Sequence, residues 1–193
     1  MENLADKKKA ILESTLELIK ENGFHGTPMS LVAKQAGVAA GTIYHYFDSK
    51  DTLICQLFQY LRNQLLAVVR NSDVPGKPYQ ERFYDLWKSL CSFYTGNPNV
   101  LVFFEQFINS PYNKKRLEAG PDPFHQLIFS FLEEGVESGY LRPVNPEILG
   151  VLLHGSIVST AKTYKFGNVQ LGEADLEQIR QILWDGMAAK KNC

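Results

Sequence analysis

A chain of 193 residues, 45% hydrophobic and 21% charged, is long enough to bury one or two small cores and too apolar to remain disordered. Its net charge of −1 excludes attachment to nucleic acid through bulk positive charge, so any such affinity must come from where the charges are placed. No apolar run approaches a membrane span, no signal-peptide core is present, and Cys55, Cys91 and Cys193 share neither metal nor redox spacing. The expectation is a cytoplasmic protein with no membrane partner, no metal and no cofactor.

In chain order, the first periodic segment is Lys7 to Asn22. Ile11, Leu12, Leu16, Leu18 and Ile19 share one side of a helix, Glu13, Ser14, Glu17, Lys20 and Glu21 take the other, and Gly23 ends it. Lys7, Lys8 and Lys9 at its start read equally as a solvated end or as an arm for phosphates. The first 50 residues hold six lysines against six acids, so even this part is neutral. Thr27 and Pro28 suit the cap and first position of a second helix, Met29 to Ala36. Gly37 can take the φ > 0 that closes it, and Ala40 to Tyr46 form a third helix of under two turns.

Ser49 caps a long helix from Lys50 to about Arg70, striped by Leu53, Leu57, Leu61 and Val68. Pro75, Gly76 and Pro78 break the chain after it. Further helices follow over Tyr79 to Thr95, Asn99 to Asn109, Phe124 to Ser138, Pro146 to Phe166 and Glu173 to Lys190, with 112–122 a mixed segment. Asp122-Pro123 fits a cap and first helical residue. No stretch alternates with period 2, so the chain is read as all-α, with about nine helices.

Two short helices joined by a glycine turn, Thr27 to Tyr46, form a helix-turn-helix pattern, whose second helix enters the major groove of DNA. Its exposed face would present Ala39, Ala40, Thr42, Tyr44 and His45. Thr42 and His45 can bond base edges, while Thr27 and Ser30 are candidate backbone donors. AGV at 36–38, GTIYHYF at 41–47 and SKDTL at 49–53 resemble the N-terminal signature of the TetR family of bacterial transcriptional regulators. The resemblance implies that Tyr44 contacts the DNA backbone or a thymine methyl, and that Tyr46 and Lys50 bind phosphate. Lys50 also stands at a helix N-terminus, where free N–H groups favour an anion. Members of the family commonly carry a capping residue at Ala39, a basic one at Ala40 and His at Tyr46, so base readout here is expected to be sparse.

The division expected is a DNA-binding domain over 1–50, continuing into the start of the 50–70 helix, and a ligand-binding and dimerisation domain over 51–193. Residues 79–131 hold 13 aromatics against four in residues 1–50. Most must be core, yet the resemblance implies a cavity for a hydrophobic small-molecule effector. Leu61, Trp87, Cys91, Tyr94, Phe104, Phe107, Phe131 and His154 are its candidate lining, and His154 reads equally as a core histidine. GYLRPVNPE at 139–147 is similar to the family segment that precedes two C-terminal helices. Leu149, Leu152, Leu153, Ile157 and Val158 on one helix, and Leu176, Ile179, Leu183, Trp184 and Met187 on the other, are the candidate interface of the homodimer that the resemblance implies.

The function expected is a repressor of double-stranded palindromic DNA, released by its effector through movement of the Lys50 helix. An alternative is a helix-turn-helix protein governed by a protein partner, with no small-molecule pocket. A remote one is a serine enzyme using Ser159 and Lys162 in S-x-x-K spacing. The accompanying S-D-N and K-T-G elements are absent, so no catalysis is expected.

Overall fold

The computed structural model describes residues 4–118 and 120–190. Among the described residues there are ten α-helices and no strand, only an isolated antiparallel bridge between Leu141 and Ala188. In order they are α1 (Leu4–Asn22), α2 (Met29–Gln35), α3 (Ala40–Tyr46), α4 (Lys50–Ser72), α5 (Tyr79–Gly96), α6 (Pro98–Ile108), α7 (Pro111–Glu118), α8 (Pro123–Glu137), α9 (Pro146–Phe166) and α10 (Glu173–Met187). The helix not read from the sequence is α7. Its stretch, Tyr112 to Glu118, is rich in Asn, Lys and Arg and has no apolar stripe, so periodicity leaves no trace of it.

The chain divides into two compact units, Met1–Asn63 with Asn99–Gly120, and Gln64–Pro98 with Pro121–Cys193. In the first unit, Ile11, Ile19, Val32, Ile43, Phe47, Ile54 and Leu57 are fully buried. Helix α6 adds Phe103 and Phe107 to this unit. Phe58 stacks on Phe107 with centroids 4.4 Å apart, and Phe24 meets Phe103 edge-on at 5.9 Å and Tyr112 at 5.4 Å. Such pairs contribute roughly 1 kcal/mol each beyond area burial.

In the second unit α5 and α8 pack against α9, and α10 lies on α9 and α5. Tyr79 is sandwiched between Phe131 at 4.8 Å and Tyr140 at 5.0 Å, and its hydroxyl donates to the Phe131 carbonyl at 2.8 Å. Helix α8 approaches Tyr79 this closely because position 135 is glycine: a Cβ there would lie 2.2 Å from the Tyr79 oxygen. Arg82 grips Asp73 through Nε at 2.6 Å and Glu134 through Nη2 at 3.0 Å, tying the α4 end, α5 and α8 together. These two carboxylates raise its already high pKa. Backbone bonds from Arg142 to Met187 (2.9 Å) and from Ala189 to Tyr140 (2.9 Å) fasten the chain end to the α8–α9 loop.

Asp122 caps α8 as the sequence suggests, accepting from the His125 N–H at 3.0 Å. The capping reading of Thr27 is corrected. Pro28 is the N-cap of α2, and Thr27 turns backward, its hydroxyl donating to the Gly23 carbonyl at 2.8 Å. It closes the α1–α2 turn instead of opening the helix.

Candidate functional site

The helix-turn-helix of the first unit is built on α2 and α3. Gly37 sits at φ +66°, a conformation costly for any residue with a Cβ, and the turn closes with the Val38 N–H donating to Ala33 at 3.0 Å. Helix α3 buries only Ile43, with Phe47 buried just beyond its end. That one inward anchor fixes the rotation of α3 and leaves Ala40, Tyr44 and His45 exposed, with Thr42 and Tyr46 half-buried beside them. Tyr44 is 55% exposed, far above a packing aromatic. Ala39 is the N-cap of α3 and makes no side-chain bond. Ser30 is exposed on the first turn of α2.

Two lysines flank this face. Lys50 begins α4, is half-buried, and its ammonium donates to the Phe24 carbonyl. Lys8 lies over the Phe47 ring at 5.8 Å, which brings the start of α1 to the end of α3. Thr27 does not join the face. It is buried, and its hydroxyl proton and N–H are both directed to turn carbonyls, so it has no donor left for a phosphate.

The eight residues proposed to line an effector cavity are divided between the two units. Leu61, Phe104 and Phe107 belong to the first unit, and Trp87, Cys91, Tyr94, Phe131 and His154 to the second. Phe131 is locked in the Tyr79 stack and Tyr94 is buried. His154 is exposed on α9, so neither the core nor the pocket reading fits it. Trp87 and Cys91 do line a common cleft of about 370 Å³, formed by α5, the end of α9 and the start of α10. Tyr164, Leu171, Leu176 and Arg180 share its walls with Lys88, Ser92, Thr95, Glu173 and Glu177, residues that no sequence pattern marked as pocket-lining. Trp87 Nε1 donates to Ser156 Oγ at 3.0 Å. The Arg180 guanidinium lies over the Tyr84 ring at 4.3 Å. Burial pushes the Cys91 thiol up to about 11. At pH 8 it is therefore almost wholly protonated, and alkylation by iodoacetamide should be slower than that of a free model thiol by about a hundredfold or more. Labelling of the native chain read by peptide mass checks this, and labelling of Cys91 at a free thiol's rate would contradict it. Cys193 lies outside the described residues.

The matches to known proteins agree with this geometry. Residues 11–57 match the family model for bacterial regulatory proteins of the tetR family, and residues 78–188 match that for the tetracyclin repressor-like C-terminal domain. The chain belongs to the TetR family. An HTH-type transcriptional regulator of Haemophilus influenzae is 27% identical over 93% of this chain and 94% of its own length. A TetR family transcription regulator from Marinobacter aquaeolei superposes with a TM-score of 0.87 at 23% identity, covering 95% of this chain and 96% of that one. The FadR regulator of Bacillus subtilis, crystallised with stearoyl-CoA, superposes at 0.74 with 23% identity over 92% and 95% of the two chains. The chain is thus a DNA-binding transcriptional regulator of the TetR family, all-helical, with its helix-turn-helix at the N-terminal end.

Of the ten apolar residues named on the last two helices of this TetR-family chain, Leu149, Leu153, Ile157, Trp184 and Met187 are buried in the protomer's own core. They are core positions, not a face offered to a partner. Leu152 is exposed, and Val158, Leu176, Ile179 and Leu183 are half-buried, Leu176 in the cleft. The large apolar side chains left outside are Ile148, Val151, Leu152, Tyr164 and Phe166 on α9 and Ile182 on α10, the most open being Val151 at 71% and Ile182 at 70%. Ser159 and Lys162 are exposed on α9 and line none of the clefts described above.

Proposed function

We propose that this regulator is a repressor that binds a palindromic operator as a homodimer and leaves it when a hydrophobic small molecule occupies the second-unit cleft. The observation that carries the reading is the exposed face of α3, where Tyr44 and His45 stand outward from a helix anchored only by Ile43. Thr42, Tyr44 and His45 contact base edges and the thymine methyl; Ser30, Tyr46 and Lys50 contact phosphate, with Lys8 and Lys9 extending that track. With Ala39 and Ala40 at the helix start, base contacts are few, and groove shape and phosphate contacts supply more of the affinity.

The bare apolar stripe of Ile148, Val151, Leu152 and Ile182 supports dimerisation through α9 and α10, since such a patch on a protomer marks an interaction surface. A single seven-residue recognition helix reads few bases, whereas a two-fold pair reads two half-sites. The size of the cleft and its Trp87, Tyr164, Leu171 and Leu176 walls support an effector with an apolar body, and Lys88, Glu173, Glu177 and Arg180 beside them suit a polar end. The stearoyl-CoA held by the Bacillus subtilis FadR supports the same class. Release requires only that the effector bind the DNA-free arrangement more tightly than the DNA-bound one.

Lys50→Ala should weaken binding alike on all sequences and lower the slope of log affinity against log salt by about one. Fluorescence anisotropy over a salt series reads this directly, and an unchanged slope removes Lys50 from the phosphate contacts. The effector half is tested by thermal shift with a panel of long-chain acyl compounds. A concentration-dependent rise supports a cleft ligand, while a flat response across the panel favours control by a protein partner instead.

A further inference from the structure

The cleft of the second unit holds a cation whose hydrogen bonding is incomplete. Arg180 enters it from α10, half-buried, with its guanidinium carbon 4.3 Å from the centre of the Tyr84 ring. That ring is held by two helices. Gln80 of α5 donates to the Tyr84 hydroxyl at 2.7 Å, and the hydroxyl donates to Gln181 Oε1 of α10 at 2.5 Å. The stack therefore fixes the guanidinium without giving it an acceptor. Its Nε is buried and has no hydrogen-bond partner among the described residues, and none of their carboxylates forms an ion pair with it. A buried N–H of a charged group is costly to leave in this state, and an incoming acceptor relieves that cost.

The other charged groups of these helices do not supply that acceptor. Lys88, Glu173 and Glu177 also line the cleft, but all three are exposed and screened by water. Asp85 is paired with Lys77, Asp175 accepts from the Gly172 N–H, and Asp185 accepts from the Gln181 amide. Lys88 and Arg180 balance Glu173 and Glu177 in formal charge, so no net field chooses the sign of a bound head group. The least hydrated unpaired charge chooses it, and that charge is Arg180. Trp87, Tyr164, Leu171 and Leu176 supply apolar walls in the same cleft. We infer that the cleft binds an amphipathic monocarboxylate, with the carboxylate on the planar fork of Arg180 and the tail against these walls. The inference rests on the effector reading of this cleft and names the head group that reading leaves open.

The test uses the full chain at neutral pH with three probes of equal chain length: decanoate, decanol and decylamine. Calorimetric titration should give saturable binding of decanoate, with decanol and decylamine at least about tenfold weaker. Arg180→Gln should cost decanoate about tenfold and leave decanol unchanged, which shows at the same time that the cleft is intact. Arg180→Lys keeps the charge but loses the fork and the Nε–H, so decanoate should bind it about threefold or more weaker than the parent. Decylamine binding as tightly as decanoate, or a decanoate affinity indifferent to both substitutions, overturns the assignment to Arg180. Equal binding of decanol and decanoate overturns the carboxylate head alone and leaves the apolar effector reading standing. No binding of any probe by the folded chain overturns the effector reading and this inference with it.

Discussion

Gly135→Ala should destabilise the second unit by about 3 kcal/mol, far beyond the cost of a usual surface substitution. The added methyl would lie 2.2 Å from the Tyr79 hydroxyl oxygen, 2.5 Å from its ring carbon and 2.7 Å from a Leu141 methyl. Tyr79 cannot give way cheaply. Its ring is held on both faces by Phe131 and Tyr140, and its hydroxyl donates to the Phe131 carbonyl. Moving it breaks that buried bond, worth about 1 kcal/mol, and spoils two stacking contacts of similar size. Tyr79→Phe, which removes the hydroxyl alone, should cost only about 1 kcal/mol. Both tryptophans, Trp87 and Trp184, belong to the second unit, so denaturant unfolding followed by their fluorescence reports on it. The comparison needs fixed protein concentration, because association contributes to apparent stability. A Gly135→Ala chain as stable as its parent would mean that α8 and α5 do not pack this closely.

Val151→Asp should abolish the dimer and lower operator affinity on the order of a hundredfold or more. Val151 is 71% exposed in the protomer, so the substitution leaves the protomer's own core untouched. In the proposed dimer it places a carboxylate and its symmetry mate in an apolar interface. Each detached protomer keeps an intact α3 but loses the second half-site, and with it the effective concentration that linkage supplies. Sedimentation should show the substituted chain at monomer mass and the parent at dimer mass. Circular dichroism should be the same for both. A Val151→Asp chain that remained dimeric would move the interface elsewhere. Leu153→Asp, by contrast, should unfold the second unit, since that side chain is 2% exposed and packed inside the protomer.

The segments legible in the sequence were those bounded by strong breakers. Helices α3 and α9 span the residues read from the sequence, Ala40–Tyr46 and Pro146–Phe166. The outward set on α3 was legible as well, because a helix this short with Ile43 and Phe47 as its only large apolar anchors can rotate only one way. Three things were not. Helix α7 lacks an apolar stripe, and its start at Pro111 looked like the end of α6. The dimer face was hidden because α9 is apolar around most of its circumference, so Leu149, Leu153 and Ile157 look like Ile148, Val151 and Leu152 until packing separates them. Contacts between residues distant in sequence leave no local mark, among them Lys50 with Phe24, Arg82 with Glu134, and Trp87 with Ser156. The same limit applies to the aromatics. Their number announced a crowded interior, but only packing tells Phe131, stacked on Tyr79, from Trp87, which opens onto a cleft.

The central claim is that α3 reads DNA as one half of a two-fold pair, and the most direct measurement is selection of binding sites from random duplex DNA, followed by a salt titration on the winner. The account predicts a palindrome with half-site centres about one or more helical turns apart, and an affinity that falls steeply with salt. Tyr44→Ala should then blur the preference at one or two positions of each half-site, at a cost of about 1–3 kcal/mol. A winner without two-fold symmetry, or no enrichment from folded dimeric protein, would contradict it.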